Sequence, residues 1–494
     1  MTLWAGLGGM TRNACVSLCT EAGILGVCEQ ERITRVAAAG VNPAGLPDEA
    51  LDELLRVVGR ERKDLDGFAV AETFMAEGTK ELAHLEHHFA HACASFLPSQ
   101  FDSALVVVCD HEGPHLSVWE GHGTTVTRVQ WPWEGPGFAD LYSQCAALFG
   151  FATGGREQRM EALARLNPAH RDSRVERLFE LKADRLELQN GWRARIEEWR
   201  GGSIDSHAAV AAALQSRIGD LLIELLRDVK RQHPAQSEIC LGGSLFFNSY
   251  LNTRVKTSGL FGNVFIPINP GNAGLAIGAA LGIRPKRVAV KAFLGPSYSP
   301  EEIKATLDNC KLKYEWASDD EVIEAGVEGL VSGRLVGWFE GGMEWGPRAL
   351  GGRSILANPL ARYVLDNLNL FLKQREPWRG YALSGLESSV RESFDGPQAA
   401  CFMEYDYIPK NDSFRHVLPR PNAAVRVHTA GSEAPARFRR LLQAFGEATG
   451  VSVVANTSFN AFREPIVCSP RDAIRVFFGT GVDLLVLDRF IIRK

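Results

Sequence analysis

Four histidines lie close together in the segment HLEHHFAHACASF. They are His84, His87, His88 and His91, so on a helix they would occupy positions i, i+3, i+4 and i+7 and share one stripe. Two histidines at positions i and i+4 can bind one metal ion from the same helix face. The spacing therefore predicts a metal site, and the alternative is a helix face whose imidazoles hydrogen-bond within the protein.

An aspartate follows soon after the histidines. Asp110 comes directly after the apolar run Ala104–Cys109, which is predicted to form a buried strand. A side chain at the carboxyl end of such a strand points into the crevice where α/β proteins bind their ligands. Two histidines and an aspartate suit a divalent first-row metal such as iron, zinc or manganese.

Glycines form two further segments of interest in the first half of the chain. Gly242 and Gly243 follow a short apolar strand in EICLGGSLFFN, and Gly271 and Gly274 precede a helix in PGNAGLAIGAAL. Backbones of this kind let a phosphate group approach closely and offer free N–H groups at the start of a helix. They indicate a phosphate site or, alternatively, ordinary turns.

Basic residues cluster in the second half of the chain, between residues 341 and 384, where they are interleaved with glycines and with the aromatic residues Trp345, Trp378 and Tyr381. The candidate binding residues among them are Arg348, Arg353, Lys373, Arg375 and Arg379. Guanidinium groups held in fixed positions can grip phosphate in a bidentate manner. The glycines and aromatic residues favour a shaped anion pocket over the alternative, a solvated basic surface. Further on, Asn456 and Ser458 follow the predicted strand Val451–Ala455, where they can hold a small polar group or a nucleotide.

Apolar runs and helical patterns alternate along the chain. Further strands are predicted at Leu335–Phe339 and Leu484–Leu487, and helices at Glu49–Val58, Ala208–Lys230 and Ala436–Thr449. This alternation predicts an α/β protein with parallel or mixed sheets. Prolines and basic residues interrupt the pattern at residues 283–300, so we place a domain boundary near residue 290, with domains at 1–289 and 290–494.

Composition excludes some classes of function. The 494 residues carry a net charge of −5, so no overall basic field attracts nucleic acid, and nucleic acid is not an expected partner. We expect no membrane-spanning helix and no signal peptide, because no apolar run is long enough and the first residues lack a basic start followed by an apolar core. The ten cysteines occur singly, which favours reduced, buried thiols in a cytoplasmic protein.

These segments together resemble the O-carbamoyltransferases of antibiotic and nodulation-factor biosynthesis. The matching stretches run in the family's order from one end of the chain to the other. They are EQERITR (29–35), HHFAHA (87–92), Asp110, LYSQCAALFGF (141–151), LGGSLFFN (241–248), PGNAGLAIGAAL (270–281), FLGPSYS (293–299), MEWGPRALGGRSILANP (343–359), LKQREPWR (372–379) and ANTSFNAFREPIV (455–467).

The resemblance implies a fold and a reaction. The first domain would be TsaD-like, similar to the tRNA threonylcarbamoyl-transferase of the actin and sugar-kinase superfamily, and the second would be a YrdC-like α/β domain. The YrdC-like domain would use carbamoyl phosphate and ATP to form a carbamoyl adenylate. The first domain would pass the carbamoyl group to a hydroxyl of a small-molecule acceptor, a specialised metabolite.

The resemblance also implies roles for individual residues. The metal ligands would be His87, His91, Asp110 and Asn272, binding iron, manganese, zinc or magnesium. A second set lies in the motifs implied to bind ATP, carbamoyl phosphate and the adenylate. Its members are Gly242, Gly243, Arg348, Arg353, Ser354, Lys373, Arg375, Arg379, Arg426, Asn456 and Ser458.

Two departures from the family pattern bear on the chemistry. Residues 7–20 contain neither histidine nor aspartate, although the family has a His-Asp pair there that is proposed to deprotonate the acceptor. We therefore expect another base, with His88 as the first candidate and Asp110 as the second; the alternative for His88 is a residue that only orients its neighbours.

The other departure is Asn272, where the family has an aspartate. An amide oxygen brings no charge, so weaker metal binding is expected.

Two other functions stay open: a related ATP-dependent acyl or amide transfer with another donor or a nitrogen acceptor, and a non-catalytic binding relative.

Overall fold

The computed structural model describes residues 2–41, 45–71, 82–151, 154–421 and 423–494. Helices and strands alternate along these residues, so the predicted α/β class is confirmed. The chain divides into two compact units. The first unit comprises Met1–Gly9, Cys19–Ile24 and Asp66–Val290, and the second comprises Met10–Leu18, Leu25–Leu65 and Lys291–Lys494. The functional domains placed at 1–289 and 290–494 stay a prediction.

The elements before residue 290 belong to several sheets and their covering helices. The strands are β1 (Leu3–Gly8), β2 (Cys15–Thr20), β3 (Gly23–Glu29), β4 (Gly67–Val70), β5 (Leu82–His84), β6 (Ser103–Cys109), β7 (Leu116–His122), β8 (Thr125–Val129), β9 (Phe179–Leu181), β10 (Leu186–Leu188), β11 (Glu238–Gly242) and β12 (Asn263–Phe265). The α-helices are α1 (Gln30–Thr34), α2 (Asp48–Val57), α3 (His87–Phe96), α4 (Phe138–Ala147), α5 (Arg156–Ala164), α6 (Ser173–Glu176), α7 (Trp192–Arg200), α8 (Ile204–Gln232), α9 (Ser249–Thr257) and α10 (Leu275–Ile283).

Two five-stranded sheets in this part of the chain repeat one topology. Their strand orders are β3-β2-β1-β4-β5 and β8-β7-β6-β11-β12. Counted along the chain within each sheet, both orders read 3-2-1-4-5, with the last two strands parallel to the first. A duplicated sheet of this kind agrees with the actin and sugar-kinase-like first domain expected from the sequence.

Close packing of α3 against α10 brings two distant segments together. A Cβ added to Gly278 on α10 would lie 2.0 Å from the carbonyl oxygen of Ala90 on α3, so only glycine fits there. The helix α10 is preceded by a 3-10 helix, Asn272–Gly274. The packing therefore holds Asn272 on the same side of the unit as the histidines of α3.

The elements after residue 290 surround one large sheet. The strands are β13 (Glu315–Trp316), β14 (Val336–Phe339), β15 (Arg353–Ala357), β16 (Ala382–Leu386), β17 (Phe394–Asp395), β18 (Asp406–Pro409), β19 (Val425–Ala430), β20 (Val453–Ser458), β21 (Leu484–Leu487) and β22 (Phe490–Arg493). The helices are α11 (Pro300–Asn309), α12 (Asp319–Val331), α13 (Val364–Asp366), α14 (Glu387–Ser393), α15 (Ala436–Thr449) and α16 (Pro470–Gly479), with a π-helix at Asn367–Leu372.

The large sheet of the second unit is mixed. Its order is β13-β22-β21-β14-β15-β20-β16-β19-β18-β17, and β20 pairs antiparallel with both β15 and β16. A core of buried apolar side chains, including Trp338, Phe438 and Phe445, packs between this sheet and the helices α12 and α15. The ends of β15, β16 and β20 thus lie side by side in a sheet that packs on this apolar core.

Most of the predicted elements are confirmed, with small shifts at their ends. The predicted strand Leu484–Leu487 is β21, and the predicted helix Ala436–Thr449 is α15. The strand predicted at Val451–Ala455 begins two residues later and continues to Ser458. This shift carries Asn456 and Ser458 into the strand itself.

The histidine helix is shorter than predicted, and the shared stripe of four histidines is wrong. The carboxylate of Glu86 accepts hydrogen bonds from the backbone N–H groups of His88 and Phe89, so it caps the helix and α3 begins at His87. His84 lies outside the helix, at the end of β5. The predicted metal site can therefore include only the histidines of α3, which are His87, His88 and His91, and residues close to them.

The cysteines agree with the sequence analysis. All ten cysteines fall within the described residues, and each is a free thiol; eight are buried. None of the helices in the described ranges is both long and apolar enough to cross a membrane.

A buried ion pair near the start of the chain holds a loop of the second unit. Glu29 and Arg32 lie 2.8 Å apart, and both are almost fully buried. Glu29 accepts a hydrogen bond from the N–H of Gly346 (2.9 Å), while Arg32 donates to the carbonyl of the same residue (2.7 Å). Arg35 donates to the carbonyls of Pro465 and Ile466, each at 2.6 Å. The segment EQERITR therefore fixes loops that lie hundreds of residues away in sequence.

We predict that Glu29→Gln destabilises the protein by about 3–5 kcal/mol, because the substitution leaves the Arg32 guanidinium buried without its carboxylate. Urea unfolding monitored by tryptophan fluorescence measures this change. As a control, Asp320→Asn removes the carboxylate of an exposed pair with Arg440 and should change stability by less than about 1 kcal/mol. Equal effects of the two substitutions would contradict the assigned role of the buried pair.

Candidate functional site

The first unit contains a compact group of two histidines and an aspartate. His87 Nε2 lies 2.9 Å from Asp110 Oδ2, and His91 Nε2 lies 3.3 Å from the same oxygen. One ligand atom from each of the three residues lies within 4.8 Å of the others. Two imidazoles and a carboxylate at this spacing form a donor set that fits a divalent first-row metal.

Neighbouring parallel strands hold Asp110 in place. The strands β6 and β11 pair in parallel. Asp110, which follows β6, therefore lies beside Ser244, which follows β11. The backbone N–H of Ser244 donates to Asp110 Oδ1 (2.9 Å), and its hydroxyl donates to the same oxygen. Burial opposes ionisation of Asp110, but the hydrogen bonds from His87, His91 and Ser244 outweigh it and hold its pKa well below the ordinary value.

Gly242 and Gly243 pack against the protein's own backbone. Gly243 has a φ of +95°, and a Cβ there would lie 2.2 Å from the carbonyl oxygen of Cys109. A Cβ on Gly242 would lie 2.5 Å from Ser95 Oγ. These glycines therefore allow the strand ends that carry Asp110 and Ser244 to approach closely; their contact with phosphate stays a prediction.

His88 is oriented away from the other two histidines of α3. Its Nε2 lies 2.8 Å from the carbonyl oxygen of Glu112, and its Nδ1 lies 2.7 Å from Ser117 Oγ. A carbonyl only accepts hydrogen bonds, so the proton of the neutral ring belongs on Nε2 and Ser117 donates to Nδ1. Burial lowers the pKa of His88 to about 3. Both nitrogens are engaged, so the geometry favours the alternative role of orienting its neighbours, and a role as acceptor base stays only a prediction.

Asn272 lies near the histidine group but is held by a different carboxylate. Its amide Nδ2 lies 3.4 Å from Glu112 Oε1. Glu112 also approaches His87, with 3.8 Å between Oε2 and Nδ1. Sequence analysis did not identify Glu112, because a single glutamate in a loop carries no recognisable pattern.

A small cleft adjoins Asp110 through Ser244. Its walls include His111, Tyr142, Glu157 and Phe247. His111 Nδ1 lies 3.3 Å from Asp140 Oδ1, and Ser143 on α4 donates a 2.5 Å hydrogen bond to Glu157. The cleft combines aromatic side chains with hydrogen-bond donors and acceptors. Sequence analysis did not identify it, because its residues come from four separate segments.

Lys373 is the central cation of the second unit's predicted anion site. Its ammonium group donates to the carbonyls of Ser458 (2.7 Å) and Asn460 (3.0 Å) and to the Asn460 side chain. Within the described part of the chain all its hydrogen-bond partners are neutral oxygens. Burial lowers the pKa of Lys373 well below its ordinary value, and Arg375 lowers it further.

Arg375 and Arg379 lie in a loop that Asn369 organises, and Arg375 is near enough to Lys373 to lower its pKa. Asn369, in the π-helix, accepts a hydrogen bond from Arg375 Nε (2.8 Å) and donates to the carbonyl of Arg379 (2.9 Å). The Arg375 guanidinium stacks 4.0 Å from the ring centre of Tyr381. Asn369 is thus a positioning residue that sequence analysis missed, although π-helical turns often occur at functional sites.

Asn456 lies on the same strand and face as Ser458. Its Nδ2 donates to Ser384 Oγ (2.8 Å) and to the carbonyl of Ala349 (2.9 Å). Only 2% of Asn456 is exposed, and among the residues that the structure describes its Oδ1 has no hydrogen-bond partner. A buried amide oxygen without a partner is rare in folded proteins, so a bound group with an N–H donor is expected to reach it.

Arg353 and Ser354 stabilise the loop beside these residues. The fully buried Arg353 donates to the carbonyls of Glu340, Gly341, Gly352 and Pro296. Ser354 Oγ accepts a hydrogen bond from the Gly351 N–H. This geometry favours a structural role for Arg353, and direct substrate binding by either residue stays a prediction.

Arg348 and Arg426 complete the predicted set of arginines. Arg348 and Arg426 are both half-buried, and each interacts with neighbouring groups. Arg426 lies on β19, and Arg348 lies in the loop that precedes β15. Their contact with substrate stays a prediction.

Two family models match the chain. The model described as "Carbamoyltransferase N-terminus" matches residues 66–281, and "Carbamoyltransferase C-terminus" matches residues 327–494. These ranges contain the histidine group and the basic cluster described above. The chain therefore belongs to the carbamoyltransferase family, a class of transferase enzymes, and the resemblance predicted from its motifs is confirmed.

Several curated proteins are similar to the chain over most of its length. The uncharacterized protein sll1178 of Synechocystis sp. is 31% identical over 84% of this chain and 77% of its own. Nodulation protein NolNO of Sinorhizobium fredii is 29% identical, covering 84% of this chain and 64% of its own. The 3'-hydroxymethylcephem-O-carbamoyltransferase of Amycolatopsis lactamdurans is 27% identical, covering 77% of this chain and 74% of its own.

Among solved structures, full-length HypF in its phosphate- and nucleotide-bound form overlaps with 57% of this chain and 46% of its own. The TM-score is 0.42 and the sequence identity is 13%. This partial overlap adds nothing to the functional assignment.

We predict that Lys373 makes stability depend on pH. The folded protein releases the Lys373 proton at a lower pH than the unfolded chain, whose lysine pKa is about 10.4. Between these two pKa values the unfolded state binds more protons, so the contribution of Lys373 to the free energy of unfolding rises with pH. In phosphate-free buffer, wild type should therefore gain stability relative to Lys373→Met from neutral pH to about pH 10. A difference that stays constant with pH would contradict the lowered pKa of the buried lysine.

Proposed function

We propose that the protein is an ATP-dependent O-carbamoyltransferase that uses carbamoyl phosphate, through a carbamoyl adenylate, to carbamoylate a hydroxyl of a specialised metabolite. The observation that carries the proposal is the buried Lys373 ammonium beside Arg375, with neutral oxygens as its hydrogen-bond partners. A buried charge without an opposite charge is costly. A phosphate or adenylate anion bound there would offset that cost.

The neighbouring residues support an acyl adenylate in particular. Asn456 and Ser458 are two residues apart on β20, so their side chains face the same side of the sheet. Ser458 contacts the Lys373 ammonium group. The unpartnered Asn456 Oδ1 can accept a hydrogen bond from the NH₂ group of a carbamoyl group. Arg375 can contact a phosphate with a planar guanidinium that Tyr381 already holds in place.

The proposed reaction has two balanced parts. Carbamoyl phosphate and water give carbamate and phosphate; carbamate then attacks the α-phosphorus of ATP, which gives carbamoyl adenylate and releases pyrophosphate. In the second part the acceptor hydroxyl attacks the carbamoyl carbon, AMP leaves, and the hydroxyl proton is released. The basic cluster stabilises the negative charge of the phosphates in the first part.

The second part is proposed to occur in the first unit. The donor set of His87, His91 and Asp110, with Asn272 nearby, fits a divalent metal, which when bound would polarise the carbamoyl carbonyl as a Lewis acid. The cleft lined by His111, Tyr142 and Glu157 adjoins Asp110 through Ser244 and is the proposed acceptor site. Its polar walls can orient a hydroxyl for attack.

A nitrogen acceptor is a second candidate, and one observation favours it. Both nitrogens of His88 are engaged within the protein, and Asp110 Oδ1 is held by Ser244. Neither predicted base is thus free to take a proton, and a neutral amine needs no base to attack. Tandem mass spectrometry of the product distinguishes the two candidates, since a carbamate ester and a urea fragment differently.

We predict that pyrophosphate release depends on Arg375. With ATP and carbamoyl phosphate both present, wild type should release pyrophosphate, and with either omitted it should not. Replacing Arg375 by alanine removes a charged hydrogen bond worth about 1.5–3 kcal/mol, so the apparent affinity should fall roughly 10- to 100-fold.

The matched control is Arg391→Ala, which removes an exposed arginine of α14 and should leave the rate unchanged. Pyrophosphate release that is equally fast in Arg375→Ala and wild type would contradict the placement of the anion site. Release without carbamoyl phosphate would contradict the proposed donor.

A further inference from the structure

Glu112 lies in the loop after β6, and its backbone is fixed by His88. The Nε2–H of His88 donates to the Glu112 carbonyl (2.8 Å), while Ser117 donates to Nδ1 and itself accepts from Trp119 Nε1 (2.8 Å). The next residue, Gly113, has a φ of +73°, and a Cβ there would meet the His88 ring at 3.0 Å. The loop therefore lies directly against the histidine, which sets where Glu112 leaves the backbone.

The side chain of Glu112 faces His87 from the side opposite Asp110. Asp110 contacts His87 Nε2, whereas Glu112 Oε2 lies 3.8 Å from Nδ1. This separation is too long for a direct hydrogen bond, so the Glu112 side chain, which is 49% exposed, would have to turn slightly to bind Nδ1. An acceptor at Nδ1 favours the tautomer with its proton on Nδ1 and leaves the Nε2 lone pair for a cation.

The same carboxylate selects the orientation of the Asn272 amide. Only the NH₂ end of an amide can donate to a carboxylate, and Asn272 Nδ2 lies 3.4 Å from Glu112 Oε1. With Nδ2 directed at Glu112, the other end of the amide, Oδ1, is the end available to a metal. The Glu112 carboxylate thus lies next to two members of the proposed donor set.

We infer that Glu112 is the positioning carboxylate of the metal site, orienting His87 and Asn272 and supplying from outside the donor set the negative charge that Asn272 lacks. This inference rests on the proposed metal site of His87, His91, Asp110 and Asn272. Carboxylates that contact ligating histidines in this way typically change metal affinity by about 10- to 100-fold when they are removed.

Zn²⁺ titration calorimetry on the full chain, after dialysis against chelator, tests the inference. We expect Glu112→Gln to weaken Zn²⁺ binding by about 10- to 100-fold relative to wild type. Glu187→Gln, which changes an exposed glutamate of β10, should bind as wild type does, and Asp110→Asn should lose the site. Unchanged affinity in Glu112→Gln, with Asp110→Asn inactive in binding, would overturn the role of Glu112 and leave the site intact. No binding by wild type would instead remove the proposed metal site itself.

Two further variants separate positioning from direct ligation and from a general loss of structure. Asn272→Asp in the Glu112→Gln background should recover Zn²⁺ affinity, because it returns a negative charge to the donor set. The absorption spectrum of the Co²⁺-loaded protein should keep its band positions in Glu112→Gln, since the ligands are unchanged. Loss of rescue, or a Co²⁺ spectrum that reports a different coordination number, would overturn the positioning role.

Discussion

A buried ammonium group among neutral oxygens constrains much of the second unit. Lys373 follows the π-helix, and its contacts with Ser458 and Asn460 join that helix to the end of β20. Asn369 then folds the next residues so that Arg375 lies beside the ammonium. The loop at Gly346 is held separately, by the hydrogen bond from its N–H to Glu29. These contacts hold two cations at one place, although their repulsion alone would separate them.

The first unit positions its polar residues by a different means. Asp110 and Ser244 lie at the carboxyl ends of neighbouring parallel strands, so sheet geometry alone brings them together. Glycines at the same ends permit the close approach, and the packing of α3 on α10 adds His87, His91 and Asn272. The proposed metal ligands therefore lie in or directly after regular elements, while the loop after β6 supplies their neighbours His111 and Glu112.

The sequence predicted the features that depend on local pattern. The strand before Asp110 and the pairing of His87 with His91 on one helix were expected from spacing and residue type. The stripe of four histidines was wrong, because periodicity does not reveal that Glu86 caps the helix. Features made by distant partners were not predicted: Glu29 and Gly346 are 317 residues apart, and Glu112 and Asn369 are common residue types whose importance comes only from their neighbours.

The central claim, that the protein forms a carbamoyl adenylate at the Lys373 cluster, is tested most directly by isotope exchange. Labelled pyrophosphate is incubated with ATP and the protein, without any acceptor, and incorporation of label into ATP is measured. Reversible adenylate formation predicts exchange that requires carbamoyl phosphate, or the carbamate derived from it, and that is lost in Lys373→Met. Exchange that proceeds without carbamoyl phosphate, or the absence of exchange in the wild-type protein, would contradict the account.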